Sequence, residues 1–179
     1  MRYRRLSKYC LFYFLFIIQT LAVSQTNPFT DLVYDTVVAY EFKGDGETLI
    51  DYCLKNAKER INKESVLSSE QVKDFETIIT SKTAHGSTTA FCFDPHFAVV
   101  YFLKGKPVET IDVCLSCNYL VSRTKIPSTT LKYIKISDDY SYPANGFSST
   151  ARKQIYQFIK DLGFTKYLQP LNSIYDNQP

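Results

Sequence analysis

The chain has 179 residues, of which 21 are Lys or Arg and 18 are Asp or Glu, and it contains no Trp. Four of the basic residues and none of the acidic ones fall in the first 24 positions, so the remaining 155 residues carry 17 basic and 18 acidic side chains. This near-neutral balance, without a run of Lys or Arg, excludes a basic nucleic-acid-binding surface as the basis of the function.

The amino-terminal segment predicts export from the cytoplasm. Its four basic residues precede an apolar run that begins at Cys10, and residues 22–24 (Ala-Val-Ser) end the segment with small side chains. This order is typical of a secretory signal peptide and predicts cleavage between Ser24 and Gln25. The apolar run is shorter than the about 20 residues of a transmembrane helix, so we expect no membrane span in the mature chain. Cleavage predicts a periplasmic or secreted domain. Retention of the segment as a membrane anchor is the alternative, and it predicts an exported domain that is tethered to the membrane.

The rest of the chain predicts one domain with short ends. Residues 25–31 are polar and include Pro28, which indicates a flexible lead-in. Residues 32–168 are long enough to bury a core of their own and are assigned to the domain. Residues 169–179 are expected to form a C-terminal tail.

Three helices are predicted from apolar residues at helical spacing, over about 49–61, 69–80 and 149–162. Before the second helix, Ser68 and Gln71 have the spacing of a capping box, in which each side chain bonds the backbone N–H of the other residue. The third helix is expected to begin after a serine cap and to end at a glycine.

Strands are predicted over 32–42, 88–92 and 131–136, and the segments 97–103 and 108–115 predict a central β-hairpin. The first hairpin segment is continuously apolar, which is typical of a strand buried on both faces. A Lys-Gly-Lys-Pro turn joins the two segments. Because the helices and the antiparallel strands follow one another in segregated order, the predicted fold class is α+β.

Three cysteines and one histidine flank the hairpin. Cys92 and His96 precede its first strand, and Cys114 and Cys117 end its second. A two-residue turn places Cys92 opposite Cys117, whereas a three-residue turn places His96 opposite Cys114. Both registers gather all four groups at the open end of the hairpin. A chain turn at Ser116 is needed to bring both cysteines of the Cys-x-x-Cys pair to the same side, because successive side chains of a strand alternate.

Three kinds of chemistry fit these four residues. The leading interpretation is a disulfide between Cys92 and either Cys114 or Cys117, which an oxidising compartment favours. The second is a metal site in which Cys92, His96, Cys114 and Cys117 provide the ligands of zinc or copper. The third is thiol–disulfide exchange by Cys114 and Cys117, although no clear helix signal follows the motif. Haem attachment is excluded, because Asn118 and not His follows Cys117.

The motif Cys92-Phe-Asp-Pro-His96, followed by Cys114-Leu-Ser-Cys117-Asn118, resembles a family of exported Bacteroidota proteins to which no activity is assigned. Members of that family often have an Arg between the Pro and the His, and this chain lacks it. The resemblance implies that the cysteines and the histidine act as one unit, and it implies no particular reaction.

These patterns predict an exported domain that is non-enzymatic, has a binding or structural role, and is stabilised by a disulfide among its clustered cysteines. No cofactor is predicted unless the four residues hold zinc or copper. The sequence specifies neither a partner nor an oligomeric state.

Overall fold

The computed structural model describes residues 27–49, 58–171 and 174–177. The signal segment with its cleavage position, and residues 50–57 of the first predicted helix, lie outside these residues. The strands are β1 (Thr36–Phe42), β2 (Ile61–Val66), β3 (His85–Ser87), β4 (Phe97–Leu103), β5 (Lys106–Cys114), β6 (Tyr119–Ser122), β7 (Tyr133–Lys135), β8 (Ser141–Pro143) and β9 (Gly146–Phe147). The described α-helices are α1 (Ser69–Thr80) and α2 (Ser149–Asp161).

Five of the strands form one antiparallel sheet in the order β2-β1-β4-β5-β6. The strands β3 and β9 form a second small sheet, and β7 and β8 a third. No helix among residues 27–49, 58–171 and 174–177 is long and apolar enough to cross a membrane. The predicted α+β class is confirmed, with two α-helices in the described part of the chain.

The central sheet buries apolar side chains on both faces. On one face, Val37, Val99 and Ile111 belong to a core that includes Phe75 of α1 and Ile155 of α2. The other face carries a second apolar cluster, whose buried members are Val38, Tyr40, Phe42, Leu49, Ala98 and Val100. Burial of alternate side chains on opposite faces explains why β4 is apolar without a break and why residues 37–40 of β1 are apolar as well.

The β4–β5 hairpin follows the prediction and combines the two expected registers. Lys104 and Gly105 form a two-residue turn with positive φ angles of 52° and 72°, as a primed hairpin turn requires. A bulge between Tyr101 and Phe102 then shifts the register by one residue. Beyond the bulge, Phe97 pairs with Val113, so the open end of the hairpin has the register predicted for a three-residue turn.

Both described helices begin where their caps predict. Ser68 accepts a hydrogen bond from the Gln71 N–H at 3.2 Å, and the Gln71 side chain accepts one from the Ser68 N–H at 2.9 Å. At α2, Ser148 accepts a hydrogen bond from the Ala151 N–H. Each cap satisfies backbone donors that the first helical turn leaves without a partner.

Two predictions from the sequence are wrong in detail. The helix over 49–61 does not extend to its expected end, because residues 58–60 form a turn and Ile61 begins the edge strand β2. Residues 88–92 are not a strand, and the short strand β3 precedes them. In the predicted C-terminal tail, Ile174–Asn177 forms a 3₁₀ turn in which Asp176 is buried.

Candidate functional site

The turn between β5 and β6 places the Cys-x-x-Cys motif at the open end of the hairpin. Residues 115–118 form this turn, which confirms the chain reversal expected at Ser116. Asn118 has a φ of 65°, a conformation that Asn adopts more readily than most residues. Its buried side chain donates hydrogen bonds to the Thr88 oxygen at 2.9 Å and to the Phe147 oxygen at 3.1 Å. These bonds hold the turn against two neighbouring segments.

Cys114 and Cys117 form a disulfide across this turn, with their Cα atoms 5.2 Å apart. Both residues are buried, with exposed fractions of 1% and 0%. A disulfide among the clustered cysteines is therefore present, but in this structure it joins Cys114 to Cys117, whereas the prediction paired one of them with Cys92. The turn folds the motif back on itself, so its two sulfurs meet within one local segment, whereas Cys92 arrives from a separate loop.

Cys92 lies beside this disulfide and is not part of it. Cys92 is exposed, and its Sγ lies 3.1 Å from the Sγ of Cys117. Among the hydrogen bonds that hold the loop around Cys92, the Ala90 N–H donates to the Cys117 oxygen at 3.0 Å, and the Tyr119 hydroxyl donates to the Cys92 oxygen at 3.1 Å. We call Cys92, Cys114 and Cys117 the cysteine cluster.

Polar groups surround the two buried sulfurs. The Cys117 N–H donates to Cys114 Sγ at 3.1 Å, and the Ser116 hydroxyl lies 3.2 Å from the same sulfur. The Asp94 N–H donates to Cys117 Sγ at 3.4 Å. These N–H and O–H groups point at the sulfurs and can stabilise negative charge that develops there when the disulfide opens.

The pKa of Tyr119 depends on its burial and on the charge of Cys92. Burial, and then the negative charge that Cys92 carries as a thiolate, raise the pKa of the Tyr119 hydroxyl above its ordinary value. The hydroxyl therefore stays protonated at neutral pH and continues to donate to the Cys92 oxygen.

His96 has its own partners at the end of β1. Its Nδ1 accepts a hydrogen bond from the Gly44 N–H at 3.0 Å and lies 3.2 Å from the Phe42 oxygen. Its Nε2 is 3.5 Å from a carboxylate oxygen of Asp94, and the ring stacks on Tyr167. Across residues 27–49, 58–171 and 174–177, no three His, Cys, Asp or Glu side chains form a group that could hold a metal ion. The expected ligand set of Cys92, His96, Cys114 and Cys117 is therefore not assembled in this structure.

A small cavity of about 30 Å³ lies next to the cluster, with Ser116, His96, Glu41 and Tyr167 in its wall. A cavity of this size has room for about two water molecules. Pockets for small-molecule ligands measure roughly 300–1,000 Å³. The cavity can accommodate water, and chemistry with a larger partner has to take place at the exposed side of the cluster.

Sequence reasoning found the three cysteines but not the residues that organise them. Asn118 and Tyr119 follow the motif directly, and an Asn after a Cys-x-x-Cys turn is the signal that could have identified the first of them. Nothing in the sequence pattern indicated that Tyr119 contacts the Cys92 loop.

No family model, no curated protein and no solved structure matches this chain.

Proposed function

We propose that the chain is an exported domain that performs thiol–disulfide exchange at the cysteine cluster. The observation that carries the proposal is the 3.1 Å distance between Cys92 Sγ and Cys117 Sγ. A thiol that touches one sulfur of a disulfide needs little movement to attack it, because the two reactants are already in one molecule. Export would supply the oxidising compartment in which such a disulfide persists.

The proposed step is an exchange within the chain. The Cys92 thiolate attacks Cys117 Sγ, a Cys92–Cys117 bond forms, and the Cys114–Cys117 bond breaks with Cys114 leaving as a thiolate. The proton that Cys92 released is available to Cys114. The number of disulfides stays at one, so the step needs neither an oxidant nor a reductant.

The environment of Cys114 supports its role as the leaving group. The Cys117 N–H and the Ser116 hydroxyl lie 3.1 and 3.2 Å from its sulfur and stabilise the developing negative charge. A better-stabilised leaving thiolate departs faster. The backbone oxygen of Asp94, 3.2 Å from the same sulfur, can accept the hydrogen once Cys114 is a neutral thiol.

The second candidate is the one predicted from the sequence, a non-enzymatic binding or structural domain in which the disulfide only stabilises the fold. The complete burial of Cys114 and Cys117 favours it, because structural disulfides resist reduction when they are shielded from external thiols. The two candidates differ in the role of Cys92: exchange requires it, whereas a structural disulfide between Cys114 and Cys117 does not.

The experiment follows the disulfide in the periplasmic protein, produced with its own leader. Cys53, the remaining cysteine after residue 24, is replaced by Ser in all samples so that only thiols of the cysteine cluster are counted. Thiols are alkylated, and peptide mapping should find Cys114–Cys117 and Cys92–Cys117 isomers in equilibrium. The replacement Cys92→Ser should leave one isomer and slow exchange with glutathione about tenfold or more.

Other outcomes separate the alternatives. A single Cys114–Cys117 isomer that exchanges equally slowly with and without Cys92 would support the structural candidate and overturn the exchange proposal. One equivalent of bound zinc or copper together with free thiols would support the metal site considered for the same cysteines. Sequencing of the mature N-terminus tests export separately, with Gln25 as the expected first residue.

A further inference from the structure

Only one sulfur of the cysteine cluster can meet a molecule from outside. Cys114 and Cys117 are 1% and 0% exposed, whereas Cys92 is exposed. When Cys92 holds the disulfide with Cys117, the bond has one sulfur at the surface. An external thiol therefore reacts at Cys92, and the groups around Cys92 select which thiols react.

The surface next to Cys92 is aromatic. Phe91 is fully exposed. Phe93 follows Cys92, and its ring lies 4.9 Å from the ring of Tyr119, whose hydroxyl bonds the Cys92 backbone. We call Phe91, Phe93 and Tyr119 the aromatic surface. An exposed Phe gains burial energy only when a partner covers it.

The two segments that build this surface carry no charged side chain. Neither 84–93 nor 114–122 contains a Lys, Arg, Asp or Glu, and His85 within the first is buried. Small cellular thiols such as glutathione are anionic and bind best where a cationic donor can meet their carboxylates. Lys132 packs on Gly86, six positions before Cys92, whereas the half-exposed carboxylate of Asp94 lies two positions after Cys92 and repels an anionic thiol. The rings beside Cys92 favour an apolar partner instead.

We infer that the substrate of this site is a polypeptide cysteine flanked by apolar side chains, which docks on the aromatic surface. The inference rests on the thiol–disulfide exchange proposed above. The substrate thiolate attacks Cys92 Sγ of the Cys92–Cys117 isomer, a mixed disulfide with Cys92 forms, and Cys117 leaves as a thiolate. A second thiolate of the substrate then attacks the substrate sulfur of the mixed disulfide, and Cys92 leaves as a thiolate. The substrate dithiol is oxidised to a disulfide, and the two electrons reduce the disulfide of the domain.

The test compares two thiols on the oxidised mature chain in single-turnover reactions. One is a short dithiol peptide with Leu and Phe beside its cysteines, and the other is glutathione. The variant is Phe91→Ser, and the control is Leu131→Ser, which removes an apolar side chain that is also exposed but precedes the separate strand β7. We expect Phe91→Ser to lower the rate with the peptide about tenfold and to leave the rate with glutathione unchanged, while Leu131→Ser changes neither.

The inference and the proposed function fail in different ways. Equal effects of Phe91→Ser on both thiols, or a faster reaction of glutathione than of the peptide with the unmodified chain, would overturn the polypeptide substrate while exchange stands. If neither thiol reacts faster with the unmodified chain than with Cys92→Ser, the exchange proposal itself fails.

Discussion

His85 is buried between two backbone oxygens, and one of them, the Ile79 oxygen, also accepts a hydrogen bond from the Ser128 hydroxyl at 3.4 Å. Its Nδ1 is 3.0 Å from the Asn145 oxygen and its Nε2 is 3.0 Å from the Ile79 oxygen. A neutral imidazole has one N–H and satisfies one oxygen, whereas the charged ring satisfies both at the expense of burying a charge. Burial is the larger effect: it lowers the pKa of His85, and the two backbone hydrogen bonds oppose the shift in part.

This lowered pKa predicts how stability depends on pH. The unfolded chain binds a proton at His85 near pH 6.5, while the folded chain does so only at lower pH. The contribution of neutral His85 to the free energy of unfolding is therefore complete above about pH 6.5, and it is lost as the pH falls through the pKa of His85 in the folded state. We expect the urea concentration at the unfolding midpoint to decrease as the pH is lowered from 7 to 5.

The variant His85→Gln separates this effect from other titrations. It should lower the free energy of unfolding at pH 7 by about 1–2 kcal/mol, because one backbone oxygen loses its partner, and it should flatten the pH dependence. His96→Gln serves as the control for the other histidine of the chain. A pH dependence that is the same in His85→Gln and in the unmodified chain would contradict the prediction.

At the scale of elements, the pairing of β3 with β9 fixes the entry into α2. His85 pairs with Phe147, and Ser87 pairs with Gly146. A Cβ at Gly146 would lie 2.6 Å from the Ser87 oxygen and closer still to the Thr88 oxygen, both of which are backbone atoms. The two strands can approach this closely only because Gly146 has no side chain.

We therefore expect Gly146→Ala to lower the free energy of unfolding by about 2–3 kcal/mol, because backbone cannot move aside as a side chain can. The matched control is Gly44→Ala, whose Cβ would meet the side chains of Asp94 and His96. The Asp94 side chain is about half exposed and can rotate away, so this change should have the smaller effect. Urea unfolding of both variants provides the measurement, and equal losses would contradict the argument.

The elements with strong local signals were predictable, and those that depend on distant partners were not. The helix α1 has both its capping box and its apolar face within 13 residues of chain. The edge strand β2 reads Ile-Asn-Lys-Glu-Ser-Val and has little apolar alternation, so its extended form depends on pairing with β1. The sequence around Ile61 alone therefore favoured continuing a helix.

Two buried carboxylates were also unpredictable, because their hydrogen-bond partners are distant in the sequence. Glu109 accepts hydrogen bonds from the backbone N–H groups of Arg123 and Thr124, and Glu41 accepts one from the N–H of Lys166 across 125 positions. Both residues lie within strands where a charged side chain predicts a solvent-facing position. For the cysteine cluster, the sequence identified the members, but the pairing depended on the turn after Cys114, which strand alternation alone does not specify.

At the scale of the whole molecule, Arg152 joins three parts of the chain. It is buried in α2, donates to the Leu115 oxygen in the turn of the cysteine cluster, and forms an ion pair with Asp176 at 2.6 Å. Its guanidinium also lies over the ring of Tyr175. The C-terminal 3₁₀ turn is thereby connected to the candidate site through one side chain, although residues 169–179 were expected to form a tail.

Removal of the carboxylate partner tests this connection. We expect Asp176→Ala to lower the free energy of unfolding by about 3–5 kcal/mol, because a buried guanidinium would lose its counter-charge. Asp138→Ala is the matched control: its ion pair with Lys135 has the same 2.6 Å distance but is exposed, so its loss should change stability little. Because Arg152 also holds Leu115, Asp176→Ala should speed alkylation of Cys117 in the reduced protein, whereas Asp138→Ala should not. Unchanged labelling together with lost stability would mean that Asp176 supports the fold without connecting the C-terminal turn to the cysteine cluster.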